Sequence, residues 1–145
     1  MQVVVQRVSE ASVTVGGDVV GEIGPGLLAL VGIAEGDGED ELRWMADKLV
    51  RLRIFNDDEG RFDRSLLDTG GALLSVSQFT LLGDVRKGTR PSFTKAAHPD
   101  HARPAWERFN ELVRAHGVHV ATGTFAAHMD VALVNDGPVT IQLER

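Results

Sequence analysis

The stretch ALLSVSQFTLL, residues 72–82, decides how the rest of the chain is read. Free of Gly and Pro, with four leucines, Val76 and Phe79, it is the most strand-like segment in the middle of the chain. Ser77, Gln78 and Thr80 place a polar cluster within it. If the strand ran on through the cluster, Gln78 and Thr80 would face one side, and Ser77, Phe79 and Leu81 the other.

Upstream, the uninterrupted apolar run LLALVGI at 27–33 shows no alternation and reads as a strand buried on both faces. Val3, Val5 and Val8 open a β-rich start that continues through ASVTV (11–15), the turn pair Gly16-Gly17 and DVVGEI (18–23), giving a strand and a hairpin. The acidic loop at 35–41 offers Asp37 or Asp40 as N-cap of a helix. Leu42, Met45, Ala46 and Leu49 in that helix follow the i, i+3, i+4, i+7 spacing of a buried face. RIFNDDEGRFD at 53–63 alternates turn residues with single aromatics, as in a short strand or hairpin. Downstream of 72–82 come a basic loop, VRKGTRPSF at 85–93, and a second helix. Trp106, Phe109, Val113 and His116 mark one face of that helix, and Gly117 sits at its C-terminal cap.

Three strands close the chain, at 118–123, 129–134 and 139–143. Between the last two, NDGPVT at 135–140 carries the Asp-Gly signal of a hairpin, yet Pro138 has no N–H for a ladder, though the first position of an edge strand tolerates it. The whole predicts one α/β domain over 1–145, with mixed, largely antiparallel sheets packed against two main helices.

A chain of 145 residues can bury roughly 70% of its unfolded surface, enough for one real core. Hydrophobic residues at 43% and charged residues at 25% are ordinary globular usage. The absence of cysteine excludes disulfides, thiol nucleophiles and Cys-rich zinc sites. No basic, apolar leader is visible and no apolar run approaches the ~20 residues of a membrane span, so the expectation is a soluble, cytoplasmic protein. A net charge of -6 argues against coating nucleic acid through bulk electrostatics, and leaves room for a local basic patch that docks one RNA end.

The acidic turn at 56–60 fails as an EF-hand: with Gly60 at the invariant glycine, Phe55 and Leu66 fall on ligand positions. His98 and His101 are three apart, but Pro99 stands between them and no third ligand accompanies them, so no metal is expected. Thr80 is a candidate nucleophile or hydrogen-bond donor, though no neighbour in sequence would activate its hydroxyl. Arg86, Lys87, Arg90 and Lys95 form either a plain exposed loop or a basic collar that meets phosphates. Phe93 and Phe125 are either core aromatics or stacking platforms for a base.

SQFTL at 77–81, KGTRPSF at 87–93 and NDGPVT at 135–140, with QRV at 6–8, together resemble the D-aminoacyl-tRNA deacylase family, and the likeness runs end to end. The resemblance implies that family's fold, a homodimer with the active site at the subunit interface, aminoacylated tRNA as the partner, and no cofactor. The implied reaction is hydrolysis of the ester between a D-amino acid and the 3'-terminal adenosine of tRNA, with glycyl-tRNA also admitted. By the same likeness Gly137 and Pro138, joined by a cis peptide, are the chiral filter inserted into the other subunit. Ser77, Gln78, Phe79 and Thr80 line the reaction centre, Arg7 holds the filter loop, Phe125 stacks on the terminal adenine, and Met129 lines the same pocket. On the collar reading of the basic loop, Arg86, Lys87 and Arg90 are the residues expected to meet the RNA. Ala126 departs from the family pattern, where glycine is expected, and Leu82 stands where an aromatic or polar residue is common.

Two mechanisms fit these residues: Thr80 as covalent nucleophile, or backbone N–H groups near Phe79 and Thr80 holding an oxyanion while the substrate's 2'-hydroxyl assists water. The second is preferred, since the SQFT stretch contains no base. The alternatives from other classes are a non-catalytic RNA-binding or translation-factor module and a generic small-molecule esterase.

Overall fold

The computed structural model describes residues 1–145. One long strand organises it. β1 (Gln2–Val15) pairs antiparallel with β3 (Gly26–Gly32) through its first half and with β2 (Asp18–Ile23) through its second. Its other edge carries β8 (Asp130–Glu144), also antiparallel. The Gly16-Gly17 turn has both φ angles positive, at 58° and 87°, which matches the right-handed twist of the hairpin it closes.

Beyond β3 the sheet becomes parallel, through β6 (Ala72–Ser77) and β7 (Val120–Thr122), in the order β2-β1-β3-β6-β7. The sheet curls until β2 approaches β7: a Cβ on Gly21 would lie 2.4 Å from the Thr122 carbonyl oxygen, so only glycine permits this contact. β4 (Phe55–Asn56) and β5 (Phe62–Arg64) form a separate hairpin. The fold is the mixed α/β arrangement expected from the sequence.

The curl produces two cores. One lies between the sheet and the helices α1 (Glu39–Arg51) and α3 (Pro99–Ala115), and gathers Leu27, Met45, Leu49, Leu73 and Phe109. The other lies on the opposite face of the sheet and gathers Val8, Val13, Leu28, Leu74 and Val76. Neighbours Leu27 and Leu28, and again Leu73 and Leu74, therefore point into different cores, which is why both strands read as unbroken apolar runs. No helix is long and apolar enough to cross a membrane.

Four local expectations are corrected. The strand read over 72–82 stops at Ser77, and residues Phe79–Leu82 form a 3-10 helix instead. β3 ends beside it at Gly32, so the Gln78 N–H makes the final bond of the pairing, to the Val31 carbonyl at 2.7 Å, and the chain then turns.

The N-cap of α1 is Gly38, not Asp37 or Asp40. Asp37 is drawn to the Ala34 N–H at 2.6 Å, while Glu41 reaches back to accept from the Gly38 N–H at 2.9 Å. A third, short helix, α2 (Leu66–Thr69), was not anticipated. Ser65 caps it by accepting from the Asp68 N–H, and the Asp68 carboxylate returns a bond from the Ser65 N–H at 2.8 Å.

The fourth correction concerns NDGPVT, which is not a hairpin turn. The two expected strands on either side of it are one strand, β8, and both halves pair with β1. Asn135 pairs with Val8 and Thr140 with Gln6, so residues 136–139 stand opposite Arg7 alone and bulge out. Lacking an N–H, Pro138 cannot continue the ladder, and the chain bulges around it and rejoins the same partner strand.

Candidate active site

The end of β6, the start of α3 and the connection from β7 to β8 converge on the largest cavity, about 610 Å³. Ser77, Gln78 and Phe79 form one wall, and Phe125, Ala126 and Met129 another. Phe93, Ala97, His98 and Pro99 supply a third, and the lining contains no lysine, arginine or carboxylate. This suits a planar, largely apolar ligand surface better than a charged one.

Phe125 is placed by a buried chain of contacts that the sequence reading missed. Ser75, fully buried in β6, accepts from the Trp106 indole N–H at 2.9 Å, and the Trp106 ring lies tilted against Phe125 with centroids 6.0 Å apart. The guanidinium of Arg103 sits 4.7 Å from the centre of the Phe125 ring. A serine inside an apolar strand was the available signal, because such a hydroxyl needs a partner. Met129 packs so closely on Gly123 that its sulfur lies 2.7 Å from where a Cβ would stand. Ala126, the departure noted in the sequence, holds φ at 62° in the left-handed region.

The 3-10 helix turns Phe79 and Thr80 toward solvent. Their N–H groups lead the helix, where no intrahelical acceptor exists. The Phe79 ring is 54% exposed and rests edge-on against Phe93 at 5.0 Å. Thr80 is not part of the cavity lining, and its hydroxyl accepts a hydrogen bond from the Gln78 side-chain amide.

His98 and His101 diverge. His98 caps α3 through its Nδ1, 3.3 Å from the Asp100 N–H, and the His101 Nε2 lies 2.9 Å from the Asp37 carbonyl.

The basic loop is pinned at its base by paired Asp84 and Ser92 backbones, at 2.8 and 2.9 Å. Asp84 also grips Arg86, and the hydrogen bonds from that guanidinium hold the Asp84 carboxyl well below the usual carboxylate range. Lys87 and Arg90, both exposed, make no ion pair.

Gly137, Pro138 and Arg7 are not among the residues that line the cavity. The Gly137–Pro138 peptide bond is cis, and both residues are exposed. Beneath the bulge Arg7 is only 6% exposed, and its Nε donates to the Asp136 carbonyl at 3.0 Å. The Asn135 side-chain carbonyl accepts from the Val139 N–H at 3.0 Å and closes the bulge. A side chain on Gly137, at φ 130°, would meet Val139 at 2.8 Å and the Arg7 Nη2 at 3.0 Å. The structure thus gathers Ser77, Gln78, Phe79, Phe125 and Met129 in one place, and Arg7, Gly137 and Pro138 in another.

A curled mixed sheet with an apolar pocket beside the start of a helix, and an exposed bulge apart from it, defines the class: a small single-domain α/β protein with one large apolar cavity. The chain matches the family model described as D-Tyr-tRNA(Tyr) deacylase over residues 4–144. It is 60% identical over 144 residues to the D-aminoacyl-tRNA deacylase of Thermomicrobium roseum, covering 99% of this chain and 94% of that protein. It is 57% identical over 144 residues to the one from Thermus aquaticus, covering 99% and 95%. Among solved structures it is similar to the c-Myc DNA Unwinding Element Binding Protein, with a TM-score of 0.94 and 42% identity over 100% of this chain and 99% of that one. A probable eukaryotic D-amino acid tRNA deacylase shares the fold, with a TM-score of 0.83 at 21% identity over 98% and 97% of the two chains. The chain belongs to the D-aminoacyl-tRNA deacylase family, whose members are ester hydrolases.

Proposed function

We propose that this chain hydrolyses the ester joining a D-amino acid to the terminal adenosine of tRNA, working in the cytoplasm as a homodimer in which each Gly137–Pro138 loop enters the other copy's pocket. Family membership supports the reaction. The observation that carries the assembly is that the loop and the pocket do not meet within one chain: neither Gly137 nor Pro138 lines the cavity formed around Phe79 and Phe125. A second copy would bring them together.

In this reading Phe125 stacks on the terminal adenine, a contact worth ~1–3 kcal/mol, and Met129 closes the space beside it. The Gly137 and Pro138 carbonyls anchor the α-amino group and leave an L side chain no room, so rejection is by clash and ignores side-chain identity. Glycine has nothing to exclude, and glycyl-tRNA is cleaved as well. Lys87 and Arg90 contact tRNA phosphates, with Arg86 contributing less because Asp84 already neutralises it.

The cavity wall contains no carboxylate or lysine, and the one imidazole on it, His98, is engaged as a helix cap. We assign the proton relay to the RNA: as water adds to the ester carbon, the 2'-hydroxyl takes its proton and passes its own to the departing 3'-oxygen. The leading N–H groups of the 3-10 helix, those of Phe79 and Thr80, hold the oxyanion until the bond to that oxygen breaks. Replacing the terminal ribose by its 2'-deoxy form should accordingly cost most of the rate. The deciding experiment is deacylation of matched D- and L-tyrosyl-tRNA. Release from the D form alone is expected, and hydrolysis of neither would sink the proposal. Equal cleavage of simple amino-acid esters without tRNA would mark a general esterase instead.

A further inference from the structure

We infer that Asn56, on the β4–β5 hairpin, is a positioning residue for the Gly137–Pro138 loop, acting through Arg7. This rests on the reading of that loop as the chiral filter.

Arg7 is a buried cation that faces two elements at once. Toward β8 it holds the Asp136 carbonyl through Nε, and the Asp136 carboxylate lies 3.3 Å away, 58% exposed. Toward the hairpin, Nη1 donates both to the Ile54 carbonyl at 2.8 Å and to the Asn56 Oδ1 at 3.2 Å. Asn56 pairs in the ladder with Phe62, whose ring lies 5.6 Å from the same guanidinium.

A guanidinium is a rigid planar fork, so fixing Nη1 from one side fixes the direction in which Nε points on the other. The Ile54 acceptor is backbone and independent of side-chain identity. Asn56 is thus the one side chain of the hairpin that accepts a hydrogen bond from the fork, with Phe62 lying against it. Fork and loop are tightly coupled, since Nη2 lies 3.0 Å from where a Gly137 side chain would begin. Phe55 anchors the hairpin on the main core, but Phe62 is 56% exposed, and several of the charged residues pair among themselves, as Arg61 does with Asp57 and Arg64 with Asp58. Its contact with Arg7 gives it a place in selectivity.

The test compares Asn56→Ala with the conservative Asn56→Asp, which keeps an acceptor for the guanidinium. Two quantities are read in the intact protein: the ratio of kcat/KM for L- over D-tyrosyl-tRNA, and amide hydrogen exchange in residues 136–139. Asn56→Ala should raise the L/D ratio at least about fivefold, as expected for part of one charge-assisted hydrogen bond, and speed exchange in the loop. Asn56→Asp should restore both. An unchanged ratio with unchanged exchange overturns the inference, as does a fall in both substrates by one factor. If the wild-type protein cleaves neither substrate, the functional reading fails by itself, and loop exchange alone then decides whether Asn56 holds the loop.

Discussion

Thr80 is the residue at which the two mechanisms part. Its hydroxyl already accepts from the Gln78 amide, and no imidazole, amine or carboxylate hydrogen-bonds to it. Thr80→Ala should therefore keep kcat on D-tyrosyl-tRNA within about threefold of wild type, whereas loss of a true nucleophile costs orders of magnitude. Single-turnover deacylation measures the difference directly. Ala126 poses a different question at the same scale. Its left-handed backbone costs an alanine about 1–2 kcal/mol that glycine avoids, part of which glycine loses again through its freer unfolded chain. Ala126→Gly should raise stability by about 0.5–1 kcal/mol and the Tm by about 2 °C, read by thermal unfolding.

At the scale of elements, periodicity was legible where packing is regular. The double-sided burial of β3 follows from its unbroken apolar run, and the face of α3 follows from Trp106, Phe109 and Val113. Where a special backbone interrupts the pattern, composition misled: 79–82 is strand-like in residue type but lies beyond the end of its partner strand, so it coils into a 3-10 helix. In NDGPVT the Asp-Gly signal was local and true of a bend, but a bulge and a hairpin differ only in which strand the chain rejoins, and that is a tertiary fact. The site was partly legible for the same reason. Its residue types were visible in the SQFT and GPVT stretches, while the Trp106–Ser75 support needed the sheet and α3 to be docked first.

The missed helix α2 carried its own signal, Ser65 followed three residues later by Asp68, with Gly70 in the left-handed region at its end. Ser65→Ala should cost about 1 kcal/mol in urea unfolding near pH 7. Hydrogen bonds from the Ser65 hydroxyl and N–H lower the Asp68 pKa from 3.8. Because the folded value lies below the unfolded one, this contribution is complete above the ordinary carboxylate range and is lost as pH falls through the folded value. The difference between wild type and Ser65→Ala should accordingly shrink in acid.

For the whole molecule, β1 links the bulge to the pocket. Its Arg7 carries the bulge of β8, while its neighbour β3 runs beside β6 and ends where the 3-10 helix begins. The bulge and the pocket are thus built on one sheet but do not meet within one chain, and a site composed from two copies can be tested by mixing damaged chains. Gly137→Val spoils the loop, since even a Cβ there meets Val139 and Arg7. Phe125→Ala spoils the pocket, since it removes the proposed stacking surface. Each variant alone should be slow on D-tyrosyl-tRNA. After subunit exchange at equal amounts, about half of the dimers are mixed, and each mixed dimer contains one site with an intact loop facing an intact pocket and one site with both damaged. About a quarter of wild-type activity should return, a recovery that sites formed within single chains cannot produce.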